Sequence, residues 1–192
     1  QPVRRHRDRA PVPAAVYGDI DISADDAITI ESGETALDGF INPDEVLEGS
    51  LTINNGATLY LMDPRNSNPN YDGPAGGYLD SFTMQSGSTL ALQLPTSSTS
   101  NVMSASSLSA PGIGTQSMHT PYTQIITNTA ALNGTLELRV SSPNGLYDDR
   151  YEYQNIIDAN TLTGRFTSVV TSTRSALLSP SVVYDTANNV DL

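Results

Sequence analysis

The chain contains no cysteine, no lysine and no tryptophan among its 192 residues. Without cysteine there is no disulfide, no thiolate metal site and no cysteine nucleophile. The same absence suits a chain that crosses a membrane unfolded, because no disulfide can trap it on the way. Histidine is nearly missing: only His6 and His119 occur. A Ser–His–Asp triad would need one of them held rigidly, and both fall in segments without periodicity, so they read as loop histidines. No run of 18 apolar residues is present, so no transmembrane helix is expected. The opening Gln1-Pro-Val-Arg-Arg-His is polar and basic, with no apolar stretch behind it, and no signal peptide is expected in it. A G-x-S-x-G elbow, an HExxH helix and a phosphate-binding Walker loop are all absent.

Charge is lopsided, with 9 basic residues, all Arg, against 21 acidic ones and a net of −12. Four of the nine, Arg4, Arg5, Arg7 and Arg9, crowd the first nine positions beside Asp8. The remainder carries 5 Arg against 20 acidic groups, a net of −15. Such a body repels phosphate backbones, so no nucleic-acid partner is expected.

What the chain does have is a recurring phrase: a strand, a glycine turn, then a strand opening near Thr. It reads Leu51-Thr-Ile-Asn-Asn-Gly56-Ala-Thr58-Leu-Tyr-Leu61 and again Phe82-Thr-Met-Gln-Ser-Gly87-Ser-Thr89-Leu-Ala-Leu92. A copy one residue shorter is Thr129-Ala-Ala-Leu-Asn-Gly134-Thr135-Leu-Glu-Leu138, and a degenerate one is Ile28-Thr-Ile-Glu-Ser-Gly33-Glu-Thr35. Repeated supersecondary units are the mark of a stacked architecture. The unit here is β, so an all-β solenoid is expected, with a thin core shared between neighbouring repeats.

Residues 1–15 read as a flexible Arg/Pro-rich arm, either a linker, a site for a trypsin-like protease or an electrostatic arm. Residues 16–94 read as β repeats, with Leu51, Ile53, Leu59 and Leu61 as an inward set. Within them, 38–50 breaks the alternation and predicts a turn followed by a short helix or an extended loop. Residues 62–77, rich in Asn, Pro and Gly, read as an inserted loop. Residues 95–120, rich in Ser, Thr, Pro and Gly, read as a second one. Residues 121–192 are the most strand-like, and Asn133-Gly134 between apolar runs is a strong tight-turn signal.

Candidate chemistry is sparse. Asn66, Asn68, Asn70 and Asp72 place oxygen-bearing side chains at alternate positions, but only one is charged and Pro69 intrudes, so a calcium loop is disfavoured. Asp25-Asp26 and Asp148-Asp149 could pair for glycoside chemistry, yet adjacent residues of a strand face opposite sides, and turns explain them better. Asn133-Gly-Thr135 is a formal glycosylation sequon that the tight turn also accounts for. No metal and no cofactor are expected, and the chain reads as non-enzymatic.

The last segment resembles the C-terminal end of the passenger of a Gram-negative type V autotransporter. The resemblance rests on Tyr122/Gln124/Ile125, Ala131–Leu136, Tyr153/Ile156/Ile157, Leu162/Gly164/Phe166 and Tyr184/Asp185/Asn189/Val190/Leu192, in that order. It covers residues 122–192 well and 16–94 only as generic repeats. It implies a right-handed parallel β-helix with a C-terminal β cap. Residues 121–192 would then be an autochaperone-like segment that folds first and templates the rest. The implied nucleus has Leu136, Leu138, Ile156, Phe166 and Val190 facing inward, with Gly134 and Gly164 permitting the turns. The implied partner is the protein's own outer-membrane β-barrel translocator. That barrel, its linker helix and most of a passenger are not in these residues. The implied parent is a monomeric, secreted, cell-surface adhesin or other virulence factor, contacting a host or cell-surface protein or glycan. Two other readings stay open: a polysaccharide-acting β-helix enzyme, and a phage tail-spike or surface-layer module.

Overall fold

A computed structural model describes residues 13–62, 76–94, 123–140, 153–172, 180–186 and 188–192. Among them are fourteen strands and no helix. In the first half these are β1 (Ala14–Tyr17), β2 (Ala27–Ile30), β3 (Gly33–Asp38), β4 (Phe40–Ile41), β5 (Ser50–Ile53), β6 (Ala57–Leu61), β7 (Gly76–Met84) and β8 (Ser88–Leu94). The second half adds β9 (Gln124–Leu132), β10 (Gly134–Val140), β11 (Ile157–Gly164), β12 (Ser168–Thr171), β13 (Val183–Tyr184) and β14 (Asn189–Asp191).

The strands form two sheets. One has the order β1-β3-β6-β8-β10-β12 and is parallel throughout. The other has the order β13-β14-β11-β9-β7-β5-β2, with β4 also on β7. It is parallel from β2 to β11 and ends in two antiparallel pairings, β11 with β14 and β14 with β13. Each repeated phrase contributes its first strand to the second sheet and its second strand to the first. None of the glycine turns within the phrases is therefore a hairpin. The Asn133 corner is a single residue between β9 and β10, which lie in different sheets. Parallel neighbours need such crossovers, because a two-residue turn cannot return the chain in the same direction.

Registers set like side chains against like. Leu59, Leu90, Leu136 and Val169 are successive partners across β6, β8, β10 and β12, and Leu61, Leu92 and Leu138 are partners one step on. Leu51 stands against Phe82. The alternation that marks these strands puts this set inside: Leu51, Ile53, Leu59 and Leu61 are all at most 2% exposed. Both sheets feed one apolar cluster. Each fully buried Leu or Phe in it is worth about 1.5–3 kcal/mol of transfer free energy, as an upper bound.

In the long strands the burial phase slips by one residue. In β7, Leu79 is buried, Asp80 exposed, and Phe82 and Met84 buried. β9 does the same at Asn128 and β11 at Asn160. Cα pairing between β7 and β9 skips Asp80 and Asn128, and the Asp80 amide is shared between the carbonyls of Glu48 and Gly49 at 3.3 and 3.0 Å.

Three sequence expectations change. Ala14 and Ala15 belong to β1 rather than to an arm, since they pair with Thr35 and Ala36. The 38–50 segment holds β4 and turns but no helix; Pro43 and the left-handed Asn42 (φ 55°) and Glu45 (φ 66°) break any helical run. Gly76 and Gly77, placed in the 62–77 loop, open β7 and pair with Phe40 and Ile41. Most of that loop, the 95–120 loop and residues 1–12 of the arm lie outside the described residues.

Candidate functional site

The residues expected to form a folding nucleus fall on or beside β10 and β11 and on β14, the antiparallel strand that follows. Leu136 and Leu138 project inward from β10 at 0% and 1% exposure, Val190 from β14 at 0%, and Ile156 lies just before β11 at 3%. All four join the one apolar cluster, and Phe166 packs on its flank partly buried. The two glycines play different parts. Gly164 has φ 71°, and a Cβ there would collide with the Leu132 carbonyl oxygen of the neighbouring strand. Gly134 has no positive φ. It is the first residue of β10, opposite Ser88, and a Cβ would sit 2.6 Å from the Ser88 carbonyl oxygen and 2.7 Å from its Oγ. Its role is close approach of two strands, not a left-handed turn.

Sequence periodicity missed the polar groups that bind this end together. The Tyr184 hydroxyl accepts from the Phe166 amide at 2.8 Å, and the Arg165 guanidinium lies 4.7 Å from the Tyr184 ring centroid. Burial raises the Tyr184 pKa, with opposing pulls from that hydrogen bond and from Arg165. Tyr153 and Leu192 exchange two backbone hydrogen bonds at 2.8 and 3.0 Å. The Asn155 amide donates to Asp191 Oδ1 at 2.7 Å. Asp185 accepts from the Asn189 amide at 2.8 Å and from its Nδ2 at 3.2 Å. Asp158 faces Asn189 in register. Burial, then the charge of Asp185, raises its pKa.

A polar row runs along the slip positions. Asn160 Nδ2 donates to Asn128 Oδ1 at 2.8 Å, and Asn128 Nδ2 donates to Asp80 Oδ1 at 2.8 Å. Asn188 Nδ2 continues the row to the Asn160 carbonyl at 3.0 Å. Asp80, Asn128 and Asn160 are 48 and 32 positions apart, so only the register reveals them as a set. A comparable clamp lies nearer the start. Asn42 is buried, its Oδ1 accepts from the Ile22 amide at 2.8 Å, and its Nδ2 donates to the carbonyls of Glu48 and Tyr78 at 3.0 and 2.8 Å.

Of the candidate catalytic and metal positions, His6, His119, Asn66, Asn68, Asn70, Asp72, Asp148 and Asp149 lie outside the described residues. Asp26 accepts the Ser23 amide at 2.8 Å within a turn, as turns of this kind use Asp. Among the described residues no group of three or more His, Asp or Glu could hold a metal, and no helix is long and apolar enough to cross a membrane. The chain matches no protein-family model, no curated protein and no solved structure.

Proposed function

We propose that this chain is the stem and folding-nucleation segment of a secreted autotransporter passenger. In this reading the two alternating sheets are walls of one right-handed parallel β-helix, and β13–β14 form its C-terminal cap. The handedness follows from the strong right-handed preference of parallel crossovers. The parent is a non-enzymatic, monomeric adhesin or other surface factor delivered by its own outer-membrane β-barrel.

One observation supports this reading above the others. Both sheets run parallel in chain order, and antiparallel pairing enters only at the last strands, β14 and β13. A stack built this way buries each layer only against its neighbours, so the first layers must form without a template. The end that supplies its own antiparallel cover, with Tyr184 and Asp185 tying it down, is the end suited to start. It also blunts an exposed strand edge that would otherwise pair with another chain.

The test is kinetic. Leu136→Ala and Leu51→Ala remove similar buried groups from opposite ends of the stack. A nucleus at residues 121–192 requires Leu136→Ala to slow refolding and Leu51→Ala chiefly to speed unfolding. Equal partition of both, or the reverse, overturns the assignment. In a full passenger, Leu136→Asp is expected to abolish surface display; undiminished display counts against the same claim.

A further inference from the structure

Outward-facing positions on β2, β5, β7, β9 and β11 form two columns in register. Ser50, Ser81, Thr129 and Thr161 are successive partners in one, with Ala27 at its start. Thr29, Thr52, Thr83 and Thr163 line the other, with Ala131 between the last two. Between the columns lie the inward residues Ile28, Leu51, Phe82, Ala130 and Leu162, so all ten positions share one face. Eight carry a hydroxyl, six of these are Thr, and none is charged or aromatic, in a chain of net charge −12. Charge begins only at the borders, at Asp26 and Asp80 on one side and at Glu31 and Arg165 on the other. The other sheet's outer face has no such uniformity: Glu34, Tyr60, Glu137 and Arg139 interrupt it.

The array is regular in two dimensions. Strands repeat at about 4.8 Å, and outward residues along a strand at about 6.6 Å. β-Branched Thr has a restricted χ1, so each Thr of the array has few ways to present its hydroxyl and methyl. Three hydroxyls are further pinned by neighbouring carbonyls: Thr163 Oγ1 to Ala130 at 3.2 Å, Thr129 Oγ1 to Asp80 at 3.4 Å and Ser50 Oγ to Asp26 at 3.5 Å.

We propose that this face binds ice. A partner that reads two evenly spaced, hydroxyl-rich columns must itself be periodic. A folded protein surface other than a second copy of this one is ordinarily not, and a sugar chain would ordinarily be gripped by aromatic rings, which the face lacks. Water in a crystal is periodic on this length scale. A Thr hydroxyl can both donate to and accept from an ordered water layer. Its methyl leaves the adjoining waters free to bond to each other. Charged side chains would impose hydration shells of their own, and they are confined to the rim.

The test uses the full 192-residue chain in an ice-recrystallisation assay and in thermal-hysteresis measurements on single crystals. The chain is expected to arrest recrystallisation and to shape growing crystals. Thr83→Lys, at the centre of the array, and Thr161→Lys, at an exposed position, should each abolish the effect while leaving the circular dichroism spectrum unchanged. Thr89→Lys, on the outer face of the other sheet, should retain it. Absence of ice activity in the parent chain overturns the proposal, as does full activity in both array variants. So would a dimer in sedimentation that Thr83→Lys and Thr161→Lys dissociate, which would assign the face to a second copy.

Discussion

Arg139 on β10 and Glu34 on β3 form a two-pronged ion pair across 105 residues of sequence, with Nη1–Oε1 at 2.9 Å and Nη2–Oε2 at 2.7 Å. The guanidinium spans β8 and β6, lies 4.3 Å from the Tyr60 ring centroid, and also bonds Glu137 at 3.1 Å. Beneath it Ala91 is fully covered. A small residue between Tyr60 and Glu137 in the pairing order leaves room for the arginine to cross.

Because both partners keep a fifth or more of their side-chain surface in solvent, the pair is worth modest energy. A double-mutant cycle of Glu34→Ala and Arg139→Ala should give a coupling of about 1 kcal/mol that shrinks as salt rises. Arg139→Ala alone should cost more than Glu34→Ala, since it also strips the ring contact. Urea midpoints in low and high salt read both; a coupling of zero at low salt refutes the claim.

Acid should act on two carboxyls in opposite directions. The hydrogen bond from Arg139 holds the Glu34 carboxyl below its usual value, with burial opposing. Its stabilising contribution is present above the unfolded-state value and is lost as pH falls through the lower folded one. Asp158 is raised, first by burial and then by Asp185. Its ionisation therefore disfavours the fold at neutral pH, and that penalty disappears as pH falls through the folded value. Asp158→Asn should raise the thermal midpoint at pH 7 and leave it unchanged in acid. An equal shift at both pH values would refute this assignment.

Asn42 combines a left-handed backbone with three side-chain hydrogen bonds in a buried site. Asn42→Ala should cost about 3 kcal/mol, from left-handed strain and unpaired groups at Ile22, Glu48 and Tyr78. Asn42→Gly should recover the backbone part only. Asn42→Asp should be at least as damaging as Ala, because a carboxylate cannot donate to the two carbonyls. Denaturant midpoints rank the three, and a Gly variant worse than Ala would overturn the backbone argument.

Gly164→Ala meets both a left-handed φ and the Leu132 backbone. A loss of about 2 kcal/mol or more is expected. Gly134→Ala meets only crowding, from Ser88 and the end of Met84, and should cost less. Thermal midpoints of the two variants decide the order.

The all-β class and the inward residues of the repeats were readable because a buried strand face imposes alternation on adjacent positions, as Leu59 and Leu61 show. The phase of the copies was harder. Gly134 looks like the counterpart of Gly56, yet register sets it against Ser88, one step later. Leu162 and Gly164, expected in a turn with Phe166, end β11 instead, with Gly164 opposite Leu132, and β12 follows with Ser168 opposite Thr135. Asn42 carried a faint signal, since Asn tolerates positive φ. The Asp80–Asn128–Asn160 row and the Glu34–Arg139 pair carried none. Their members are brought together by the pairing order and register of distant strands, which no local pattern encodes.

Connection length between the two sheets varies while register within each sheet does not. One residue, Asn133, joins β9 to β10, two join β2 to β3, and three join β5 to β6 and β7 to β8. Even so, Gly33, Ala57, Ser88 and Gly134 occupy one aligned rank. An insertion within a strand would turn its apolar set outward, whereas one at a corner leaves every stacked partner in place. Such a chain can gain or lose surface loops over generations at little thermodynamic cost, acquiring new outer decoration on an unchanged frame.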